Sequence, residues 1–416
     1  MEQNTTLSTP LNRITLLDAL RGFSLLGVIL MHMLQQFSIF SFSPDMRRPL
    51  FPEFDATIQW IGENIIMGRF INIFAFLFGL SFFIQLDRAA KKGIDFRQRF
   101  IWRMVVMLAI GLVGNMFYGG EIISLYAVFG GILVLLYRVK SGVLIIVVTL
   151  LLIGTPRIIQ VSYTNYIKTE QVDNSSQKVT TQTQAAQRAT EVTKPSFINA
   201  VKHNFTQGLA GKLNYQFGLF GRGYLTFALF LVGLIVGRSG FFERQQSTGK
   251  LLAFFISFVA IVLLINYIAS LFPNFSYRSL ARGETINIWT GLSLMTLNDI
   301  KIVAFSGAIV MGFTLLYQHH AFSKYLDIFS PYGRMGLTNY EMQSVIGCLI
   351  FSMWAFGPFF QTWGTTELFF LGIFIYIAQL LFSAFWLNKY LYGPLEWFLR
   401  TATYLKMQPF KRKKLD

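Results

Sequence analysis

An all-α, polytopic transmembrane helix bundle of about ten spans is the fold class predicted by three observations. Only 13% of the 416 residues are charged and 53% are hydrophobic, whereas ordinary soluble proteins carry about 25% charged residues. The mean hydropathy is +0.49, and 44 residues are Phe, more apolar surface than a soluble chain of this length could hide. The apolar residues also fall in runs close to the ~20 residues a helix needs to cross a ~30 Å hydrocarbon core. The same composition excludes a disordered chain, a coiled coil and a disulfide-built secreted scaffold. The single Cys348, inside an apolar run, supports neither an intrachain disulfide nor a thiolate metal site.

The first run, Ile14 to Leu34, is too long for a signal-peptide core and lacks a small-residue cleavage site after it, so it reads as a retained helix. The second, Ile58 to Leu86, exceeds a simple span and holds Glu63, Asn64, Arg69 and Asn72. A break or re-entrant entry is expected near Gly68, because polar groups at membrane depth must face protein or water. Further runs are Phe100–Phe117, Ile122–Tyr137 and Val143–Val161. A polar stretch from Ser162 to Tyr215 then reads as an external loop, partly disordered over Val172–Thr190.

The C-terminal half continues with Gly223–Val236, Leu251–Leu271, Ile300–Tyr317, Leu337–Phe356 and Leu368–Leu387. The shorter Ile286–Leu297 segment reads as re-entrant or interfacial, and Tyr392–Tyr404 as an amphipathic surface helix with a Glu396/Arg400 pair at i, i+4. The chain thus divides into N-terminal helices (1–160), a polar external loop (161–216), C-terminal helices (217–405) and a basic cytoplasmic tail (406–416).

The net charge of +16 fits this division. Basic residues gather on cytoplasmic loops of membrane proteins. Arg88, Lys91, Lys92, Arg97, Arg99 and Arg103 between spans two and three place that loop inside. Alternation then puts Arg138/Lys140, Arg238/Arg244/Lys250, Lys324/Arg334 and the Lys411–Lys414 tail on the same side, with both termini cytoplasmic. The partner implied is the lipid bilayer. Nucleic acid is not expected, because no groove of basic residues interleaved with aromatics is present.

Charged side chains within a span cost at least ~2.5–3.5 kcal/mol each on insertion scales, so the few that occur are the functional candidates. Asp18 and Arg21 are three residues apart on one helix face and can pair. His32, eleven residues beyond Arg21, returns to nearly that face about 16 Å further along. A near-neutral imidazole suits a general base or proton carrier; the structural alternative is an ion pair with an interfacial His. Arg69, Asn72, Glu121, Arg334, Asn339 and Gln343 are further polar groups at or near membrane depth, read as substrate-binding candidates. Asn339 and Gln343 share a helix face and could equally join helices. A zincin, a phosphate loop and a Gly-x-Ser-x-Gly elbow are absent from the sequence, and no metal site is expected.

Several stretches together resemble the bacterial DUF418 (YeiB-like) membrane family. They are Leu17-Asp18-Ala19-Leu20-Arg21-Gly22, Arg69-Phe70-Ile71-Asn72 continuing to Phe78-Gly79, Glu121 to Tyr126-Ala127, Gly333-Arg334 to Gln343-Ser344, and Gly393-Pro394-Leu395-Glu396-Trp397 to Tyr404. That family is similar in turn to membrane acyltransferases of the acyltransferase-3 and heparan-glucosaminide acetyltransferase types. In acyltransferase-3 proteins a first-helix Arg and His with ten residues between them are associated with catalysis, and Arg21 and His32 have that spacing; DUF418 members more usually carry Asn at the His position.

The resemblance implies a multi-pass protein of the bacterial cell membrane. It would move an acyl group from acyl-CoA to a small-molecule or cell-envelope hydroxyl at the outer face, with His32, Arg21 and Asp18 as catalytic residues. A transporter for a small solute and a non-catalytic membrane protein are the alternatives.

Overall fold

The computed structural model describes residues 15–38, 47–171, 195–244, 246–272 and 287–412. The disordered stretch expected at 172–190 and residues 413–416 of the basic tail lie outside the described residues. Among the described residues the only strand-like pairing is an isolated bridge between Tyr390 and Lys411; everything else regular is helical, as the composition predicts.

In chain order the helices are α1 (Thr15–Leu34), α2 (Pro52–Ile61), α3 (Arg69–Ala90), α4 (Arg97–Phe117), α5 (Ile123–Leu136), α6 (Ser141–Leu152) and α7 (Thr155–Gln171). After the undescribed segment come α8 (Phe197–Phe205), α9 (Gln207–Phe217), α10 (Arg222–Arg238), α11 (Thr248–Ser270) and α12 (Ile288–Gln318). The chain ends with α13 (His320–Leu326), α14 (Ser330–Arg334), α15 (Gly336–Phe351), α16 (Gly357–Phe360), α17 (Thr365–Lys389) and α18 (Pro394–Tyr404).

Among the described residues six stretches are long and apolar enough to cross a membrane: α1, the Pro52–Ala90 stretch, α4, α11, α12 and α17. Two bent pairs, α6 with α7 at 49° and α9 with α10 at 58°, bring the number to eight. Ten is not reached. The runs at 122–137 and 337–356 yield helices of 14 and 16 residues, about 21 and 24 Å long at 1.5 Å per residue, short of a ~30 Å core. The segment expected to be separate at 286–297 instead continues into the following run as the single 31-residue helix α12.

Burial is ordered as a bilayer solvent requires. The most apolar of the six spans, α11, is the least buried, with only Leu251 and Ile265 enclosed. The least apolar, α1, is the most buried. In water the ranking would be reversed; in lipid the polar helix belongs inside. Around α1 pack α3, α14, α15 and α17. The Tyr376 hydroxyl of α17 donates to the Gly22 carbonyl at 2.8 Å, which secures the antiparallel α1–α17 crossing.

The expected break near Gly68 is present. A π-helical turn over Gly62–Ile66 ends at Gly68, whose φ of +79° lies in the left-handed region open chiefly to glycine. The polar stretch read as an external loop is helical at both described edges, in α7 and in α8–α9. Ser196 starts α8 by accepting the Asn199 amide on its side chain at 3.2 Å.

The surface helix α18 begins at Pro394 as expected, but Glu396 does not turn toward Arg400. Its carboxylate accepts the Leu337 and Thr338 amides at 2.7 and 3.1 Å and the Thr338 hydroxyl at 2.6 Å. It thereby caps the N-terminus of α15, where backbone donors lack partners and negative charge is favoured. Arg400 lies over the Tyr392 and Tyr404 rings. Packing against α15 pushes the Glu396 carboxyl above the ordinary carboxylate range, against the pull of its Thr338 and Leu337 donors. A raised pKa means the docked helix prefers the protonated acid, so α18 should be held most firmly below about 4.3 and less firmly as pH rises through the raised value. Glu396→Gln should flatten that pH dependence of the melting temperature, while Glu396→Ala should cost about 1–3 kcal/mol through its orphaned partners.

Candidate functional site

Helix α1 carries its polar residues at two levels. At the lower one Arg21 pairs with Asp18 at 2.9 Å and donates to the Ser81 hydroxyl of α3 at 2.9 Å. The Arg21 side chain keeps 22% exposure against 7% for Asp18, so the pair is a buried carboxylate holding a cation that still reaches open space. The continuous helix keeps Arg21 and His32 about 16 Å apart along its axis. They share a face but occupy two separate places, not one contact group.

His32 ends up buried in the last turn of α1, among Phe37, Tyr118 and Tyr340, at ring-centroid distances of 4.9, 5.1 and 6.4 Å. Its Nδ1 is enclosed without a hydrogen-bond partner. Tyr118 ends α4, and Tyr340 comes from the second turn of α15 and accepts the Ile122 amide at 3.3 Å. Three helices and the α4–α5 connection therefore converge on the imidazole.

Beside Tyr340 lies a charged group. Glu121, fully enclosed in the α4–α5 connection, accepts the Ile123 amide and, at 3.1 Å, the Ser124 amide, like a cap on α5. Lys212 of α9 approaches it at 3.7 Å and donates to the Ser124 hydroxyl at 3.1 Å and to Asn115 at 3.5 Å. Glu341 of α15 packs its carboxylate against Gly114 of α4, where a Cβ would stand 2.3 Å from its Oε2. Its Oε1 has no partner. It is near enough to Glu121 and Lys212 for their charges to interact. Helix α8 covers this end through Phe197 on Phe117, with ring centroids 5.5 Å apart, and Asn204 on the Met116 carbonyl at 3.3 Å.

The Glu121–Lys212 pair makes a sharp prediction. Breaking a buried pair from one side costs about 3–5 kcal/mol, because a charge is left unmatched, whereas replacing both members is often neutral. Lys212→Met should therefore lower the melting temperature strongly, and Lys212→Met with Glu121→Gln should recover most of the loss. Equal melting of the single and double variants would show that the pair contributes nothing.

The other predicted residues fall elsewhere. Arg69 donates to the Glu63 and Met67 carbonyls at 2.7 and 2.5 Å and lies over Phe305. Asn72 accepts from Arg222 at 3.1 Å. Asn339 and Gln343 belong to a helix-joining network. Asn339 donates to Ser383 at 2.9 Å and to the Tyr332 carbonyl at 3.1 Å, Gln343 donates to the Tyr332 hydroxyl at 2.8 Å, and that hydroxyl donates to Gln379 at 2.8 Å. Such interhelical bonds contribute about 0.6 kcal/mol each, up to about 1.7. Arg334 closes the short α14. No group of three or more metal-ligating side chains is found among the described residues.

The fold and site thus define an all-α membrane bundle with a buried His/Tyr/carboxylate/Lys cluster. Residues 236–406 match the family model of a protein of unknown function, DUF418. This bears out the resemblance read from the C-terminal motifs. The chain is 26% identical over 429 aligned positions to the uncharacterized protein YxaH of Bacillus subtilis (strain 168), with 96% of each chain covered. It is also 25% identical over 411 positions to an uncharacterized 39.9 kDa protein in the amylase 3' region of Bacillus acidopullulyticus, with 97% of each covered. No solved structure matches. His32, Glu121 and Lys212 precede the family-matched part, while Tyr340 and Glu341 lie within it, so the cluster joins both halves of the chain.

Proposed function

We propose that the protein is a multi-pass acyltransferase of the bacterial cell membrane that passes an acyl group from acyl-CoA to a hydroxyl acceptor at the outer face. The observation that carries this reading is the enclosed His32 imidazole, whose Nδ1 is left without a partner beside two tyrosines. A base must have a free nitrogen within reach of the proton it removes. As the acceptor oxygen attacks the thioester carbonyl, His32 takes its proton. The carbon–sulfur bond then breaks, and the departing CoA thiolate takes that proton back. Tyr340, accepting the Ile122 amide, keeps its own hydroxyl proton for the developing oxyanion.

The two levels of α1 suit a long donor. With the basic loops inside, the Asp18/Arg21 end would face the cytoplasm, where Arg21 would meet donor phosphates, and the thioester would reach His32 near the opposite end. The test is free-thiol release from acyl-CoA by protein reconstituted in vesicles, with water or glycerol as acceptor. Release above that of empty vesicles supports the reading; none with any chain length of donor ends it.

A second reading, proton-coupled movement of a solute, is favoured by the Glu121, Lys212 and Glu341 group, since intramembrane ionisable clusters also serve as proton relays. Vesicle acidification linked to solute uptake, without thiol release, would select it.

A further inference from the structure

We propose that the starts of α3 and α10, with Arg157 of α7 and Lys301 of α12, form a binding site for a phosphate oxyanion. This site is separate from the His32 cluster and does not rest on acyl transfer.

Helices α3 and α10 run parallel and in close contact, and both begin at a left-handed glycine, Gly68 at φ +79° and Gly221 at φ +61°. Neither glycine offers a side chain to cap the helix. The free amides and positive ends of two long helices are therefore presented side by side. Arg222, the first residue of α10, reaches across to Asn72 of α3 at 3.1 Å, and its Nη2 also lies beside Gly68.

The side chains add charge of the same sign. Arg157 crosses from α7 to the Phe220 carbonyl at 3.1 Å and Asp299 at 2.5 Å, with its guanidinium against Gly221. It is 3% exposed, yet its Nε and Nη1 have no partners. Asn72, 1% exposed, likewise leaves Nδ2 without an acceptor. Lys301 of α12 directly precedes Ile302, whose side chain lies against Gly68, and Ser306 on the same helix donates to the Arg69 carbonyl at 2.9 Å. Arg157 thus meets the start of α10 and Arg222 bridges the two helix starts, while Asp299 pairs with Arg157.

Buried donors without acceptors cost about 1–3 kcal/mol each, and Arg157 Nε and Nη1 and Asn72 Nδ2 are three such donors. One oxyanion would satisfy these donors, taking hydrogen bonds from Arg157 Nη1, Asn72 Nδ2 and the paired helix amides. Arginine forks and helix N-termini fit phosphate in particular. Arg222 and Lys301 are only half-buried, which leaves a way in. The phosphate could belong to an anionic lipid or to a soluble phosphate ester.

The test uses the full chain in a neutral detergent. One arm titrates inorganic pyrophosphate, and the other titrates phosphatidylglycerol against phosphatidylcholine, with thermal unfolding and native mass spectrometry as readouts. Saturable stabilisation by pyrophosphate points to a soluble ester, and retention of phosphatidylglycerol alone points to lipid. Arg222→Gln and Lys301→Gln, both half-exposed, should weaken binding by roughly tenfold or more, the loss of one charged hydrogen bond, and should flatten its salt dependence. Arg157→Gln should do the same if it folds. The proposal is overturned if neither ligand stabilises the wild-type chain, or if Arg222→Gln and Lys301→Gln bind as the wild type does.

Discussion

Replacing His32 with alanine is expected to lower the turnover of acyl transfer by about 10²–10⁴-fold, the usual contribution of a general base, with little change in the affinity for acyl-CoA. The ring makes no hydrogen bond through Nδ1, and its neighbours Phe37, Tyr118 and Tyr340 are themselves tightly packed. The folded state should therefore survive with only the stability loss of a small cavity. Arg21→Gln should behave differently. It lies about 16 Å along the helix from His32, so it should raise KM for the donor more than it lowers kcat, since it would hold the donor and not the reacting atoms. A shared kcat defect in both variants would contradict the two-level arrangement. An unchanged kcat in a well-folded His32→Ala protein would remove His32 from the chemistry.

What the sequence made legible was chiefly what a bilayer imposes locally. Helices, the break at Gly68 and the start of α18 follow from apolar runs and from Gly and Pro placement. The polar line on α1 was visible because charge stands out against an apolar background, and Glu121 was visible for the same reason. Lys212 was not, since it sits in a polar stretch where a lysine carries no signal; only the folding of α9 against the end of α4 carries it to Glu121. Tyr118, Tyr340 and Glu341 were hidden for a related reason. Their position depends on how α4 and α15 meet, and a 16-residue helix such as α15 does not announce in sequence that it starts partway along its neighbours. Arg157 and Lys301 looked like residues near the ends of runs, yet one lies at a bend and the other inside a helix longer than periodicity suggested. Ten spans are not confirmed on the same point: the apolar run to Phe356 continues past the end of α15 at Phe351.

The second large effect is expected at the α3–α10 contact. A Cβ on Gly79 would stand 2.0 Å from the Phe230 carbonyl oxygen, and one on Gly233 would stand 2.3 Å from that of Phe76. Both obstacles are backbone, so no rotamer change can relieve them. Close approach through small residues is how helices associate where lipid removes the hydrophobic drive between them. Gly79→Leu should therefore force the two helices apart at a cost at or above the ~1–3 kcal/mol of ordinary overpacking. Gly131→Leu on α5, where no atom lies within 4 Å of the added Cβ, should leave the melting temperature unchanged or slightly raised, since leucine favours helix over glycine by roughly 0.5–1 kcal/mol. Melting in detergent distinguishes them, and a Gly79→Leu chain that melts with Gly131→Leu would refute the contact. The smaller Gly79→Ala is the more informative variant. If it folds with the helices slightly splayed, the amides of Arg69 and Arg222 no longer sit side by side, so phosphate affinity should fall before the His32 cluster, which is built on α1, α4 and α15, is disturbed.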